Sequence, residues 1–419
     1  MTRLLNVNTY HYRRGGSDVV YLEHGAMMQR AGIDCGYFAM HHPRNEATPW
    51  SKHFVDEIEF GHAYGWVEKF VMAGKVVYSF EAQRKLRRLL DAFPADVAHL
   101  HCIYHHLSPA ILPVLRERGI RTVMTAHDLK IACPNYKMLN HTGVCERCKT
   151  GSVINVVRHR CVRGSLAASA VVALETVVHR QLDTWRRNLD VIVCPSRFFI
   201  AKFVEWGWER ERFVHVPNFV DADQFSPNFE PGAYAVYFGR LAADKGVGTL
   251  IRAACAAGIP LKLVGTGPDE SGLRALAEEL GGDVDFLGYA SGENLHAVVR
   301  GARCAVLPSE IFENASMMVL ESMALGKPVV GARIGGIPEM IEHEQTGWLF
   351  DSGSVEQLTA QLQQVLDAPV SRLAAMGAAA RRRVETEFSR SRYQDAMLAL
   401  YRRLGMALPE PVLAATVMA

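Results

Sequence analysis

An α/β chain of two doubly wound parallel-sheet units is predicted from three features of the sequence. β-type runs alternate with helix-length segments almost throughout the 419 residues. The alternation breaks off at the turn-rich stretch 217–232 and then restarts. Composition agrees: 49% apolar and 21% charged residues is the balance of a soluble globular chain. Disordered, collagenous and fibrous classes are excluded.

In the first half, strands are expected at Leu4–Asn8, Gly36–Met40, Val97–Leu100, Thr122–Thr125, Val191–Cys194 and Val214–Val216. Helices span Ser17–Arg30, Ser79–Asp91, Ser108–Arg118 and Ser196–Trp206, each opening on a serine suited to N-capping. Further strands follow at Ala235–Phe238, Leu261–Val264, Val284–Phe286, Cys304–Leu307 and Pro328–Val330. The expected division is a first unit at 1–217, a linker at 218–232, a second unit at 233–387 and a closing segment at 388–419. Within that segment Phe388–Leu404 reads as an amphipathic helix, and 409–419 is weakly patterned. The stretch 130–163 breaks the rhythm of the first unit and reads as an insertion after a strand. Loops this long are usually functional or pinned by something.

The net charge of +2 hides an asymmetry: residues 1–215 carry 29 Lys and Arg against 20 Asp and Glu, the remainder 17 against 24. A basic half can face a polyanion or an anionic membrane surface, or simply clothe solvated helix faces. No apolar run approaches the roughly 20 residues of a membrane span. The best candidate, Leu166–Val178, is short and contains Glu175. Because 1–16 has no signal-like apolar core, a cytoplasmic location is expected.

Ligands of open parallel sheets bind beyond the carboxyl ends of the strands, so the residues after each strand matter most. Arg13-Arg14-Gly15-Gly16-Ser17-Asp18 follows the first strand. Its glycines allow close backbone approach and a helix start offers N–H groups to an anion, although a plain tight turn reads equally well. Later, Phe238-Gly239-Arg240-Leu241 ends a strand and Lys245-Gly246 leads into a helix. Arg240 supplies a planar fork and Lys245 a compact charge, a pair suited to diphosphate oxygens. Val264-Gly265-Thr266-Gly267-Pro268 sets glycines after another strand. It lacks a full dinucleotide fingerprint and a Walker lysine, which counts against a simple NAD enzyme and a P-loop NTPase.

The most informative stretch runs from Pro308 to Glu321. Glu313 lies in the loop after a strand, and Glu321 about two turns into the following helix. Between them Asn314, Ala315, Ser316 and Met317 bring a helix start whose N–H groups can cradle phosphate. The two carboxylates can accept hydrogen bonds from sugar hydroxyls, so the arrangement suits a nucleotide sugar. An ordinary solvated helix is the competing reading. The apolar neighbours Val319, Leu320, Met323, Ala324 and Leu325 argue against it.

Taken in order, Gly239-Arg240-Leu241 with Lys245-Gly246, Glu313 and Glu321 as E-x7-E, Gly326-Lys327-Pro328-Val329-Val330 and Gly335-Gly336-Ile337-Pro338-Glu339 resemble the retaining glycosyltransferases of family 4. That family has the GT-B fold, two Rossmann-like domains facing across a cleft. The resemblance spans nearly the whole chain, with Gly15-Gly16, His127-Asp128, Pro217-Asn218-Phe219-Val220-Asp221 and Gly347 included. It implies that Arg240 and Lys245 neutralise the donor diphosphate, that Glu313 holds the donor sugar's hydroxyls and that Glu321 holds those of the ribose. The amides of Asn314, Ala315, Ser316 and Met317 would contact sugar and phosphate, and Gly265 would line the same site. His127 would sit across the cleft near the reacting carbon, while Gly15 and Gly16 line the diphosphate and acceptor entrance. Ser316 departs from the proline of many relatives, which changes the rigidity of the helix start. The resemblance also implies that the closing helix returns to the first domain. It implies, too, that the leaving phosphate takes the acceptor proton, without a dedicated base.

Cys133, Cys145, Cys148 and Cys161 cluster in the insertion, at a spacing that fits a four-thiolate structural zinc site. Unligated thiols and a redox-sensitive pair are the competing readings. A subgroup of bacterial family 4 enzymes resembles this insertion, including Cys133-Pro134-Asn135-Tyr136. Few aromatics accompany it, which argues against a nucleic-acid ribbon. His99, His101, His105 and His106 surround a strand end without a carboxylate cluster, so His101 or His105 is expected to line the acceptor cleft rather than bind a catalytic metal.

The expected function is sugar transfer from a nucleotide-diphosphate donor to a glycan or lipid-linked acceptor in cell-surface polysaccharide biosynthesis. It would occur at the inner face of the membrane, with peripheral contact to anionic lipid, no nucleic-acid partner and no cofactor required for catalysis. A nucleotide-sugar epimerase of the same fold and a noncatalytic nucleotide-binding scaffold are the alternatives. The intact set Arg240, Lys245, Glu313 and Glu321 argues against the scaffold.

Overall fold

The computed structural model describes residues 2–57, 65–140 and 143–408, so the weakly patterned residues 409–419 lie outside it. Two six-stranded sheets carry the architecture. The first runs Asp34–Phe38, Arg3–Val7, Val97–Leu100, Arg121–Thr125, Val191–Cys194 and Phe213–His215. The second runs Val284–Gly288, Leu261–Val264, Ala235–Phe238, Cys304–Leu307, Val329–Ala332 and Gly347–Phe350. Every neighbouring pair in both is parallel. Numbered within each sheet, the orders are 2-1-3-4-5-6 and 3-2-1-4-5-6, the two common doubly wound arrangements.

The strands are parallel and central because their sequences are apolar on both faces. Val191–Cys194, Ala235–Phe238 and Cys304–Leu307 are buried at every residue. Alternate residues of the first sheet feed two cores: Leu5, Ala98, Met124 and Ile192 one, Leu4, Val97, Val123 and Val191 the other. The helix Arg390–Arg403 joins that second core through Tyr393, Met397, Leu400 and Tyr401, so the end of the chain covers one face of the first sheet.

Ser79 and Ser196 cap their helices, accepting from the Ala82 and Phe199 N–H groups. Two expected serine caps fall elsewhere. The first helix begins at Gly16 with Gly15 as its cap, and Ser108 caps only a 3-10 turn ahead of the helix Leu112–Glu117. Among the described residues, no helix is long and apolar enough to cross a membrane.

Between Arg121–Thr125 and Val191–Cys194 lie a two-stranded hairpin, Leu139–Asn140 with Gly143–Val144, the short helices Arg147–Thr150, Ile154–Arg158 and Thr184–Asn188, and the long helix Leu166–Gln181. A buried ion pair ties these parts together: Lys130 Nζ lies 2.8 Å from Glu175 Oε2 and 3.1 Å from the Pro134 carbonyl. Burial opposes the Glu175 charge, but Lys130 and His105 beside it hold its carboxyl down at about 2. Lys130→Ala should therefore destabilise the protein by about 3–5 kcal/mol, because it strands a buried carboxylate. Thermal unfolding checks this, and the double variant Lys130→Met/Glu175→Leu should recover most of the loss.

Candidate active site

In each sheet the winding direction reverses between two neighbouring strands, and the loops leaving those strands open a crevice. In the second sheet the strands are Ala235–Phe238 and Cys304–Leu307, followed by Arg240–Lys245 and by Ser309–Asn314. In the first they are Arg3–Val7 and Val97–Leu100, followed by Asn8–Asp18 and His101–His106. The two crevices face one another.

On the second-sheet side, Lys245 Nζ is 2.6 Å from Glu313 Oε1, which also accepts from the Ser309 hydroxyl at 2.5 Å. Burial opposes the Lys245 charge, yet the neighbouring carboxylate raises its pKa above the usual lysine value. Cation and carboxylate thus hold each other in place beside the crevice. Arg240 is exposed; its carbonyl accepts from the Tyr237 hydroxyl at 2.9 Å, and its guanidinium makes no hydrogen bond or ion pair among the described residues. The Glu313 loop rests on Gly335 and Gly336, where an added Cβ would come within 2.2 Å of the Glu313 carbonyl oxygen and 2.0 Å of that of Asn314. Those glycines are needed for packing.

Glu321 lies in the second turn of the helix Met317–Ala324, which starts later than its spacing from Glu313 suggested. Its carboxylate has no hydrogen-bond or ionic partner among the described residues, and burial pushes its pKa up to about 7. The Asn314 side chain is already committed. Its Nδ2 donates to the Ala126 carbonyl and its Oδ1 accepts from Ser196, each at 2.8 Å, which leaves the backbone amide for a ligand. Ala315 is held by its carbonyl, which accepts from Asn218 at 2.9 Å. Gly265 does not hold space open for a ligand: an added Cβ would lie 1.9 Å from the Gly239 carbonyl oxygen, so it lets two loops stack.

The helices starting at Gly16 and Met317 meet across the cleft; an added Cβ on Gly16 would lie 3.2 Å from Met317 Cγ. Neither start has a side-chain cap, at Gly15 or at Ser316, whereas Ser79, Ser165, Ser196, Ser354 and Ser389 cap other helices. Uncapped N–H groups and a positive dipole end favour an anion.

His127 follows Ala126, so the Asn314 bond brings it beside the Glu313 loop. Its Nε2 shares a 2.8 Å hydrogen bond with His101 Nδ1, and His101 stacks on His99. His99 is bonded through Tyr401 to His24. Burial holds His127 down at about 4 and His24 at about 3, so both imidazoles are neutral at pH 7. Of the two histidines expected at the acceptor cleft, His101 is buried behind His127, whereas His105, with His106, lines the cavity.

That cavity, about 1270 Å³, lies over the first sheet and is closed on one side by the insertion and Arg240. Asp18 and Asp128 line it, and burial raises both carboxyls to about 6. Asp18 sits one turn past Gly15-Gly16, a position readable as helix first turn but not as cavity wall. Lys137 of the insertion and Asp244 of the second-sheet side close the cleft with a 2.5 Å ion pair.

The fold brings the four clustered cysteines near one another: Cys148 and Cys161 act on the Cys133 thiol, and Cys145 acts on those of Cys148 and Cys161. Among the described residues, no three His, Cys, Asp or Glu side chains are disposed to hold a metal ion. Cys133 is part of the first core, and Cys145, Cys148 and Cys161 are partly buried free thiols. Burial raises Cys133 to about 12 and Cys148 to about 11, which leaves both protonated and weakly reactive.

Comparison with known proteins gives two family matches: Glycosyltransferase Family 4 over residues 14–224 and Glycosyl transferases group 1 over 220–383. A GDP-mannose-dependent monoacylated alpha-(1-6)-phosphatidylinositol monomannoside mannosyltransferase of Corynebacterium glutamicum is 30% identical over 227 residues, 48% of this chain and 59% of the relative. A D-inositol 3-phosphate glycosyltransferase of Mycolicibacterium smegmatis is 33% identical over 217 residues, 46% of this chain and 48% of the relative. The chain thus spans about half the length of the curated relatives it matches. Among solved structures, sucrose-phosphate synthase of Thermosynechococcus elongatus is similar with a TM-score of 0.71 at 19% identity, covering 97% of this chain and 99% of that one. Anabaena HepE in complex with UDP and glucose is similar with a TM-score of 0.65 at 16% identity, covering 96% and 100%. The shared fold is GT-B.

Proposed function

The chain belongs to glycosyltransferase family 4, and on that premise we propose that it moves a sugar from a nucleoside diphosphate to a hydroxyl of a glycan or lipid-linked acceptor, with retention of configuration, in cell-surface polysaccharide assembly. One observation carries the reading. Cations, carboxylates and an uncapped helix start from the second sheet face a second uncapped start and a large carboxyl-lined cavity on the first. The Corynebacterium relative is named for GDP-mannose and a phosphatidylinositol mannoside, and the Anabaena structure holds UDP and glucose. Both support a nucleoside diphosphate donor without choosing its base.

In the proposed reaction the sugar C1–O bond to the diphosphate breaks and its electron pair leaves with the phosphate. Arg240, Lys245 and the amides of Asn314–Met317 stabilise that growing negative charge, which is the main catalytic device. The acceptor oxygen bonds to C1 from the same face, and its proton passes to the departing phosphate oxygen. Glu313 holds donor sugar hydroxyls and Glu321 the ribose. His127 contributes a neutral imidazole fixed by His101, and Asp18 and Asp128 hold acceptor hydroxyls. No cofactor is needed, since the positive charge comes from the chain itself. The enzyme works at the inner membrane face in contact with anionic lipid.

Thermal shift with UDP, GDP, ADP and their sugar conjugates tests this, because a ligand held only by the native state raises its melting temperature. A shift selective for one nucleotide, followed by acceptor-dependent release of that diphosphate, is expected. Conversion of the donor without any acceptor would point to the epimerase. Binding without turnover of any kind would point to the scaffold.

A further inference from the structure

The helix Leu166–Gln181 is turned the wrong way round for a soluble protein. Its buried residues are Ser169, Val172, Glu175 and His179, three of them polar. Each polar one ties the helix to the rest of the fold. Ser169 Oγ accepts from the Val162 N–H at 3.1 Å, Glu175 takes Lys130, and His179 is bonded to Thr184 and to the Val77 carbonyl. The opposite face carries Leu166, Ala170, Leu174 and Val177, at the spacing of a single helical stripe. Leu166 and Leu174 are 55% exposed and Val177 43%. An ordinary surface helix turns such a stripe inward. Ile154, on the short helix packed against this one, is 66% exposed, and Leu182 just beyond its end 51%.

The charges around the stripe have one sign. Arg158, Arg160, Arg163 and Arg180 are all exposed. From 147 to 182 the only acidic residue is Glu175, buried against Lys130. An apolar stripe framed by arginines, with no exposed acid from 147 to 182, complements an anionic bilayer: leucine and valine enter the acyl boundary while guanidinium groups meet lipid phosphate. The next residues round the helix, Ala167, Ala168, Val171 and Val172, line the large cavity. The same helix therefore joins the exposed stripe to the cavity wall.

We propose that the outer face of Leu166–Gln181, with the arginines of 158–163, is the surface by which this protein docks on an anionic membrane and receives a lipid-linked acceptor. The delivery half of the proposal rests on the transferase reading above; the docking half does not. The test is flotation of the full chain with phosphatidylcholine vesicles with and without phosphatidylglycerol, at low and high salt, with no donor or acceptor present. Binding is expected only to the anionic vesicles, weakened by salt. Leu174→Glu/Val177→Glu should reduce it at least roughly tenfold. Both side chains are exposed and away from the cavity, so the nucleotide thermal shift of this variant should match the wild type. Equal binding by the variant, or no preference for anionic lipid, would overturn the proposal. So would a wild-type dimer seen by light scattering that the double substitution dissociates without any vesicle binding, since a second copy would then cover the stripe. A wild type that binds the anionic vesicles but shows no shift with any nucleotide would instead count against the transferase reading alone.

Discussion

Arg240→Ala and Lys245→Ala are each expected to lower turnover by roughly 10²–10³-fold at saturating donor, the scale of removing one preorganised group that stabilises transition-state charge. The two differ in their other effects. The Arg240 guanidinium is exposed and has no hydrogen-bonded partner among the described residues, while the bond of its carbonyl to Tyr237 survives truncation, so its loss should leave the melting temperature unchanged and act on the diphosphate alone. Lys245 lies 2.6 Å from Glu313. Removing it leaves a carboxylate with one neutral donor, Ser309, close to where a dianionic leaving group must form. Donor affinity should therefore fall further in Lys245→Ala than in Arg240→Ala, and Lys245→Ala/Glu313→Gln should regain part of it. Steady-state kinetics with a thermal melt of each variant checks both statements. Near-normal turnover in both folded single variants would remove the diphosphate assignment.

Glu321→Gln should make the protein more stable at pH 8 and worse at holding its donor. Burial raises the Glu321 carboxyl from an ordinary value near 4.5 to about 7. The folded state then holds a proton that the unfolded state has released between those values. Stability contributed by the neutral form is thus full below about 4.5 and is lost as pH rises towards 7 and above. The loss is at most roughly 3 kcal/mol, for a shift of this size. Glutamine has no charge to bury, so the variant should lack this decline and melt higher at pH 8. A donor whose ribose hydroxyls donate to the carboxylate favours the ionised form, so nucleotide binding by the wild type should strengthen as pH rises through 7. Melting curves from pH 5 to 9, with and without nucleotide, measure both trends. A variant whose nucleotide shift equals that of the wild type would show that Glu321 does not touch the donor.

Much of the architecture was legible because parallel strands are buried on both faces and therefore read as short apolar runs. Val97–Leu100, Val191–Cys194, Ala235–Phe238, Leu261–Val264 and Cys304–Leu307 stand where those runs end. Less regular elements were harder to bound. Asp34–Phe38 begins two residues before its apolar run, and Ser17 looked like a cap although Gly15 occupies that position. Glycine there cannot cap with a side chain, and that absence is what leaves the helix start available to an anion.

The residue types of the cleft, the two cations and the two carboxylates, follow from spacing along the chain, since Arg240, Lys245 and Glu313 lie within seven residues of a strand end and Glu321 eight residues beyond Glu313. Contacts between distant segments do not. That Asn314 would spend its side chain on Ala126, or that Tyr401 would reach His99 across 302 positions, depends on how two sheets and a returning helix are laid together. The same holds for polarity. Leu166–Val178 reads as an apolar run with one misplaced acid, and no periodicity reveals that Glu175 points inward to Lys130 while Leu174 points out. A local pattern records which side chains share a face. Which face is covered is set by the partner that packs against it, and for this helix the partner is an ion pair and a cavity rather than an apolar core.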